Sequence, residues 1–117
     1  MTDVVAGSFV PLPADLEMFL RDTFTLTNGV AGQVVVGLMA EAQGDPGLAV
    51  RLRNELIGPR RAALRDVLVR RPVPAGADPD LLVDMIFGAM WYRLLNQHAP
   101  VDTALAREIT ALVARIF

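Results

Sequence analysis

Cysteine and lysine are both missing from this 117-residue chain, and histidine, serine, tryptophan and tyrosine occur once each. Without cysteine there is no disulfide and no thiolate metal site, and a cytoplasmic location is the default expectation. With only His98 and Ser8, and no lysine, there is little from which to assemble an activated nucleophile, so no enzymatic activity is expected. No uninterrupted apolar run reaches the roughly 18 residues of a membrane span. The opening, MTDVVAGSFVPLP, lacks the basic and long apolar regions of a secretory signal. A net charge of −2 supplies no electrostatic reason for the whole chain to seek nucleic acid or an anionic membrane.

What is abundant is aliphatic: 53% of residues are apolar and only 6% aromatic. That much apolar material on a soluble chain of single-domain length points to an interface or an apolar cavity. It is densest at Leu81–Leu95, where only Asp84 and Arg93 are charged and apolar side chains fall on every side of a helical wheel. Such a helix has to be covered all round. It is too short and too polar to cross a bilayer, and a small chain wraps only part of it. A second copy is expected to cover the rest.

Residues 1–12 show no period and read as an irregular leader; residues 13–117 read as one domain. Pro13 suits a helix start. Leu16, Phe19, Leu20, Thr23 and Phe24 then mark one helical face to about Leu26, where Asn28-Gly29 signals a turn. Val34-Val35-Val36 suggests a strand, but Val30, Val34, Leu38 and Ala31, Val35, Met39, Ala42 keep the helical period, and helix is expected. Gly32 and Gly37 each cost that helix about 1 kcal/mol against alanine unless close packing repays it.

Gly44-Asp45-Pro46 supplies a C-cap, an N-cap and a proline start. The helix that follows carries Leu48, Leu52, Leu56, Leu64, Val67 and Leu68 down to Arg71. Within it Pro59 removes a backbone donor and crowds the Glu55 carbonyl, which predicts a kink or a break. Pro72, Pro74 and Gly76 forbid helix. Asp78-Pro79 opens the Leu81–Leu95 helix, Asn96 to Pro100 close it, and Asp102 caps a last helix with the stripe Leu105, Ile109, Leu112, Ile116. The expectation is an all-α, five-helix bundle domain whose last two helices form a hairpin. Two copies would make a four-helix bundle in a homodimer, with Gly88, Ala89, Ala104 and Ala111 allowing close approach.

Seven arginines between Arg51 and Arg71 face only Glu55 and Asp66, leaving the segment at net +5. No aromatics interleave and no recognition-helix pattern is present, so a solvated face is favoured over phosphate contact. His98 has no second ligand nearby in sequence, and no metal is expected. Asp80 and Asp84 suit the positive start of a helix. Asp22 with Glu17, and Glu41 with Asp45, are the pairs acid–base chemistry would need, but spacing does not single them out. Met18, Phe19, Met39, Met85, Phe87, Met90 and Trp91 fit either core or an adaptable apolar pocket, and a buried Trp91 or Tyr92 could orient a ligand.

From Gly44 onward the order of motifs resembles the C-terminal half of TetR-family transcriptional regulators. The matching stretches are Gly44-Asp45-Pro46-Gly47-Leu48, Pro59-Arg60-Arg61-Ala62-Ala63-Leu64-Arg65, Asp78-Pro79-Asp80-Leu81-Leu82, Phe87-Gly88-Ala89-Met90-Trp91-Tyr92-Arg93-Leu94-Leu95 and Val101-Asp102, with Val10-Pro11-Leu12-Pro13 as the entry. The resemblance implies a domain that binds a small hydrophobic effector and dimerises through its last two helices. Operator DNA would be bound only through an N-terminal helix-turn-helix domain, and none precedes Pro13. The chain is therefore expected to be an excised regulatory domain or a truncated product. The usual Gly-Glu-Leu turn is replaced by Pro72-Val73-Pro74-Ala75-Gly76.

On this reading Phe19, Met39, Met90 and Trp91 line the ligand pocket. Leu82, Met85, Ala89, Leu105, Ile109, Leu112 and Ile116 form the dimer interface. No cofactor, metal or membrane partner is expected. Two other classes stay open: a helical homodimer that is a protein-interaction module without a pocket, and a small hydrolase or isomerase using the carboxylate pairs.

Overall fold

Three aspartates set the starts of helices. Asp45 accepts a hydrogen bond from the Leu48 amide (3.1 Å), Asp78 from Asp80 (2.9 Å) and Asp102 from Leu105 (3.0 Å), each satisfying a donor that the first helical turn leaves free. The computed structural model describes residues 14–117, so the leader over residues 1–12, Pro13 and the entry Val10–Pro13 lie outside the described residues. The elements are α1 (Ala14–Thr27), α2 (Val30–Ala42), α3 (Pro46–Leu52), a π turn (Arg53–Ile57), α4 (Gly58–Leu68), α5 (Pro79–Asn96) and α6 (Thr103–Ile116). Because α3, the π turn and α4 run on as one rod, the fold is five helical rods, all-α, with no strand among the described residues.

Pro59 neither breaks nor ends that rod. The residues before it widen into the π turn, in which the Gly58 amide donates to the Arg53 carbonyl. A fifth residue in the turn makes room for a proline that cannot donate and whose ring would crowd the carbonyl below it. Gly58 is part of the solution, since a Cβ there would stand 2.7 Å from the Arg53 carbonyl oxygen. At the end of α2 the capping residue is Gln43, right-handed, with Gly44 following it, so glycine is not the cap. The end of α5 is capped by Gln97 in the left-handed conformation (φ 57°).

The core sits around α1. Leu16, Leu20 and Phe24, spaced by four, are completely buried, as are Leu64 and Leu68 of α4. Leu82, Val83, Ile86, Phe87 and Met90 of α5 close over them, with Val101 and with Leu105, Ala106, Ile109 and Val113 of α6. α6 packs chiefly along α1 and not along α5, so within one protomer the last two helices do not pair as a hairpin. The thinnest dimension of the molecule is 19 Å, about two helix diameters. A layer that thin cannot wrap α5: Leu81, Met85, Tyr92 and Leu95 are each more than half exposed.

The basic segment is largely solvated, with Arg51, Arg53, Arg65 and Arg70 exposed, but it is also tied to other helices. Arg61 pairs with Asp84 and Arg65 with Asp80 (3.0 Å), joining α4 to α5. Arg70 and Arg71 both reach Asp15 at the start of α1 (3.2 and 2.9 Å). The acids that balance this segment come from other helices, which a count along the segment does not see. Partial burial pushes the Asp15 carboxyl up, but hydrogen bonds from Arg70 and Arg71, the Arg71 charge and the Leu16 amide outweigh it and hold it below its usual 3.8. A carboxylate with a lowered pKa stabilises the fold above its unfolded value, and that contribution is lost as pH falls through the folded value. Asp15→Asn is expected to cost about 1 kcal/mol near pH 7, with the deficit shrinking when the pH is taken below 3.8. Urea titrations of both chains at the two pH values check this.

Candidate ligand site

The helices enclose an open cleft of about 580 Å³, lined by α1, α2, the π turn with the start of α4, and α5. That volume falls in the range of small-molecule sites. The lining is mostly apolar: Leu26, Ala31, Val35, Met39, Leu56, Ile57, Phe87, Met90 and Trp91. Each element delivers its residues through a local cause. α1 and α2 meet at 78°, and the elbow between them holds the cleft open. Ala31, Val35 and Met39 are the i, i+4, i+8 row of α2, and the widened π turn presents Leu56 and Ile57 together.

The elbow depends on Gly32. Its Cα lies so close to the end of α1 that an added Cβ would stand 1.7 Å from the Thr27 carbonyl oxygen. Gly37, one face away, meets nothing within 4 Å. Thr27, whose carbonyl forms the contact, also directs its hydroxyl toward the Met90 sulfur (3.7 Å) and back to the Thr23 carbonyl (3.1 Å).

α5 serves three surroundings at once, which is why its sequence looks apolar on every side. Leu82, Val83, Ile86 and Met90 enter the core. Asp84, Phe87, Gly88 and Trp91 turn to the cleft. Leu81, Met85, Tyr92 and Leu95 face outward.

Of the four residues expected to line a pocket, Met39, Met90 and Trp91 come together at the cleft. Phe19 does not: it packs against the core and carries the Arg60 guanidinium over its ring (5.2 Å). Arg60 in turn donates to the Thr23 hydroxyl (2.6 Å), and both residues line the cleft. Tyr92 points away from it and stacks edge-on with His98 (5.1 Å).

Residues 11–113 match the family described as tetracyclin repressor-like, C-terminal domain. The chain belongs to that family. It is therefore an all-α domain of the kind found in TetR-family transcription regulators. No curated protein and no solved structure matches it.

The residues expected at the interface of this TetR-like domain fall into two groups. Leu82, Leu105 and Ile109 are buried in the protomer's own core and have almost no surface to offer a partner. Met85, Leu112 and Ile116 are exposed, and Ala89 is half-buried. A second, more polar cleft of about 690 Å³ lies on the other side of α2, between Gln33, Val36, Arg93, His98 and Pro100, with Thr27 and Gly32 shared between the two. Arg93 is engaged there by the Pro100 carbonyl (3.0 Å).

Sequence reasoning missed the cleft's contributions from the π turn, from Arg60 and from Thr23. The Ala31–Val35–Met39 row was a usable signal for α2. The widening before Pro59 was not, because its partner atoms are set by backbone geometry.

Among the described residues no single helix is long and apolar enough to cross a membrane.

Proposed function

We propose that this TetR-like domain is the effector-binding and dimerisation part of a transcriptional repressor, and that a small apolar ligand occupies the cleft between α1, α2, the π turn and α5. The observation that carries the reading is the cleft itself, about 580 Å³ of mostly aliphatic and aromatic surface left unfilled by a core that is otherwise closed. α2 is its moving wall in this account. Only Gly32 and Ala42 of α2 are buried, so the helix is held by little and can settle against a guest. A ligand that binds one packing of α2 more tightly shifts the domain toward it. In a protein carrying a DNA-binding head, that difference in affinity weakens operator binding.

A thermal-shift screen of small apolar compounds tests this. At least one compound is expected to raise the melting temperature with its concentration, as binding to the folded state alone requires. Gly88→Phe, which places a ring in the cleft where an added Cβ meets nothing within 4 Å, is expected to remove the shift while still folding. A broad set without a single concentration-dependent shift would favour the protein-interaction module instead.

Dimerisation is proposed through the outward rows, Leu81, Met85, Tyr92 and Leu95 on α5 with Leu112 and Ile116 on α6. Burying a charge against such a row without a partner is costly. Met85→Asp and Leu112→Asp are each expected to weaken self-association by more than about tenfold, with the protomer fold intact. Sedimentation velocity across a dilution series reads this; variants that sediment like the parent would place the interface elsewhere.

A further inference from the structure

We infer that the cleft takes an amphiphile bearing a carboxylate, and that Arg60 is the residue that reads the acid group. This rests on the cleft being a ligand site. Of the five arginines from Arg60 to Arg71, four have a carboxylate partner: Arg61 with Asp84, Arg65 with Asp80, and Arg70 and Arg71 with Asp15. Arg60 has none among the described residues. It is half-buried, its cation lies over the Phe19 ring, and one of its nitrogens donates to the hydroxyl of the buried Thr23. A hydroxyl and a ring face position a guanidinium but do not neutralise it, and a partly buried cation without a counter-charge is unfavourable.

The remaining donors of Arg60 border a cleft whose other lining is mainly hydrocarbon. The cleft's one carboxylate, Asp84, is occupied by Arg61 and leaves Arg60 free for an incoming anion. A planar guanidinium matches a monoanionic carboxylate in a two-point fork, whereas a phosphate dianion would call for a second free cation. The other arginine of the lining, Arg61, is already paired with Asp84. Thr23 and Phe19 hold the fork from behind, so little freedom is lost when a ligand binds. The apolar body then lies along Val35, Met39 and Trp91.

The test is a head-group series of one chain length, decanoate, decanol and decylammonium, titrated below their aggregation concentrations against the full chain and read by Trp91 emission. Decanoate is expected to bind about ten- to a hundredfold more tightly than decanol, the range of a charge-assisted pair, and decylammonium most weakly. Arg60→Gln should collapse the decanoate-to-decanol ratio toward one, whereas Arg107→Gln, on the exposed side of α6, should keep it. Decanol binding as well as decanoate, or a ratio that survives Arg60→Gln, would overturn the assignment while leaving the apolar site standing. Absence of binding by all three would count against the site itself. The series on the unsubstituted chain decides the head-group preference even if Arg60→Gln does not fold.

Discussion

Phe24→Ala is expected to destabilise the domain by about 3–5 kcal/mol, the range for removing a fully buried aromatic ring. Phe24 is the largest of the completely buried side chains and stands on α1, the helix against which α2, α4 and α6 all pack. In a molecule two helices thick, few neighbours can collapse into the space it leaves, so the cost falls toward the upper end. Domains of this size hold only about 5–15 kcal/mol in total. The variant should therefore lose a large share of its stability, with the urea midpoint displaced to lower concentration and the slope unchanged. Met85→Ala, an exposed residue of comparable size, should move the protomer's stability by less than about 0.5 kcal/mol.

Gly32→Ala should act on the cleft even more than on stability. Side-chain Cβ atoms do not approach other atoms more closely than about 3.0 Å, yet an alanine here would sit 1.7 Å from the Thr27 carbonyl. The obstacle is backbone, so no side chain can rotate away; α1 and α2 must part. Overpacking of this kind costs about 1–3 kcal/mol. Because α2 buries little else, its displacement spares the core and destroys the elbow that shapes the cleft. Loss of the ligand-induced melting shift, with faster amide hydrogen exchange confined to α2, is the expected pattern. Gly37→Ala on the same helix has open space and should instead raise stability by up to about 1 kcal/mol, as a helix-propensity gain.

Those two glycines show where sequence ends and packing begins. Both look like equal weaknesses of one helix; only the approach of α1 separates the one that must be glycine from the one that need not be. Helix starts were legible because Asp45, Asp78 and Asp102 act on amides two or three residues away, and local chemistry is visible in local sequence. The helical reading of Val34–Val36 succeeded for a similar reason, since the spacing of the whole segment outweighs three β-branched residues.

Pro59 is read correctly as a disturbance, but its outcome is a widened turn because Gly58 leaves the space for one. The uniform greasiness of α5 hides three separate duties, and a helical wheel cannot say which arc meets core, cleft or solvent. The same limit moved Leu82, Leu105 and Ile109 from the expected interface into the core, and hid that arginines on a wet face are also ties to Asp15, Asp80 and Asp84.

The most direct test of an apolar effector in the cleft is a titration of Trp91 emission with compounds that raise the melting temperature. Trp91 is the single tryptophan and is half-buried in the cleft wall, so all tryptophan emission comes from that wall. A saturable single-site change for at least one compound, abolished in Gly88→Phe, is the predicted result. No saturable change from any member of a broad apolar set would contradict the account and leave a helical interaction module in its place.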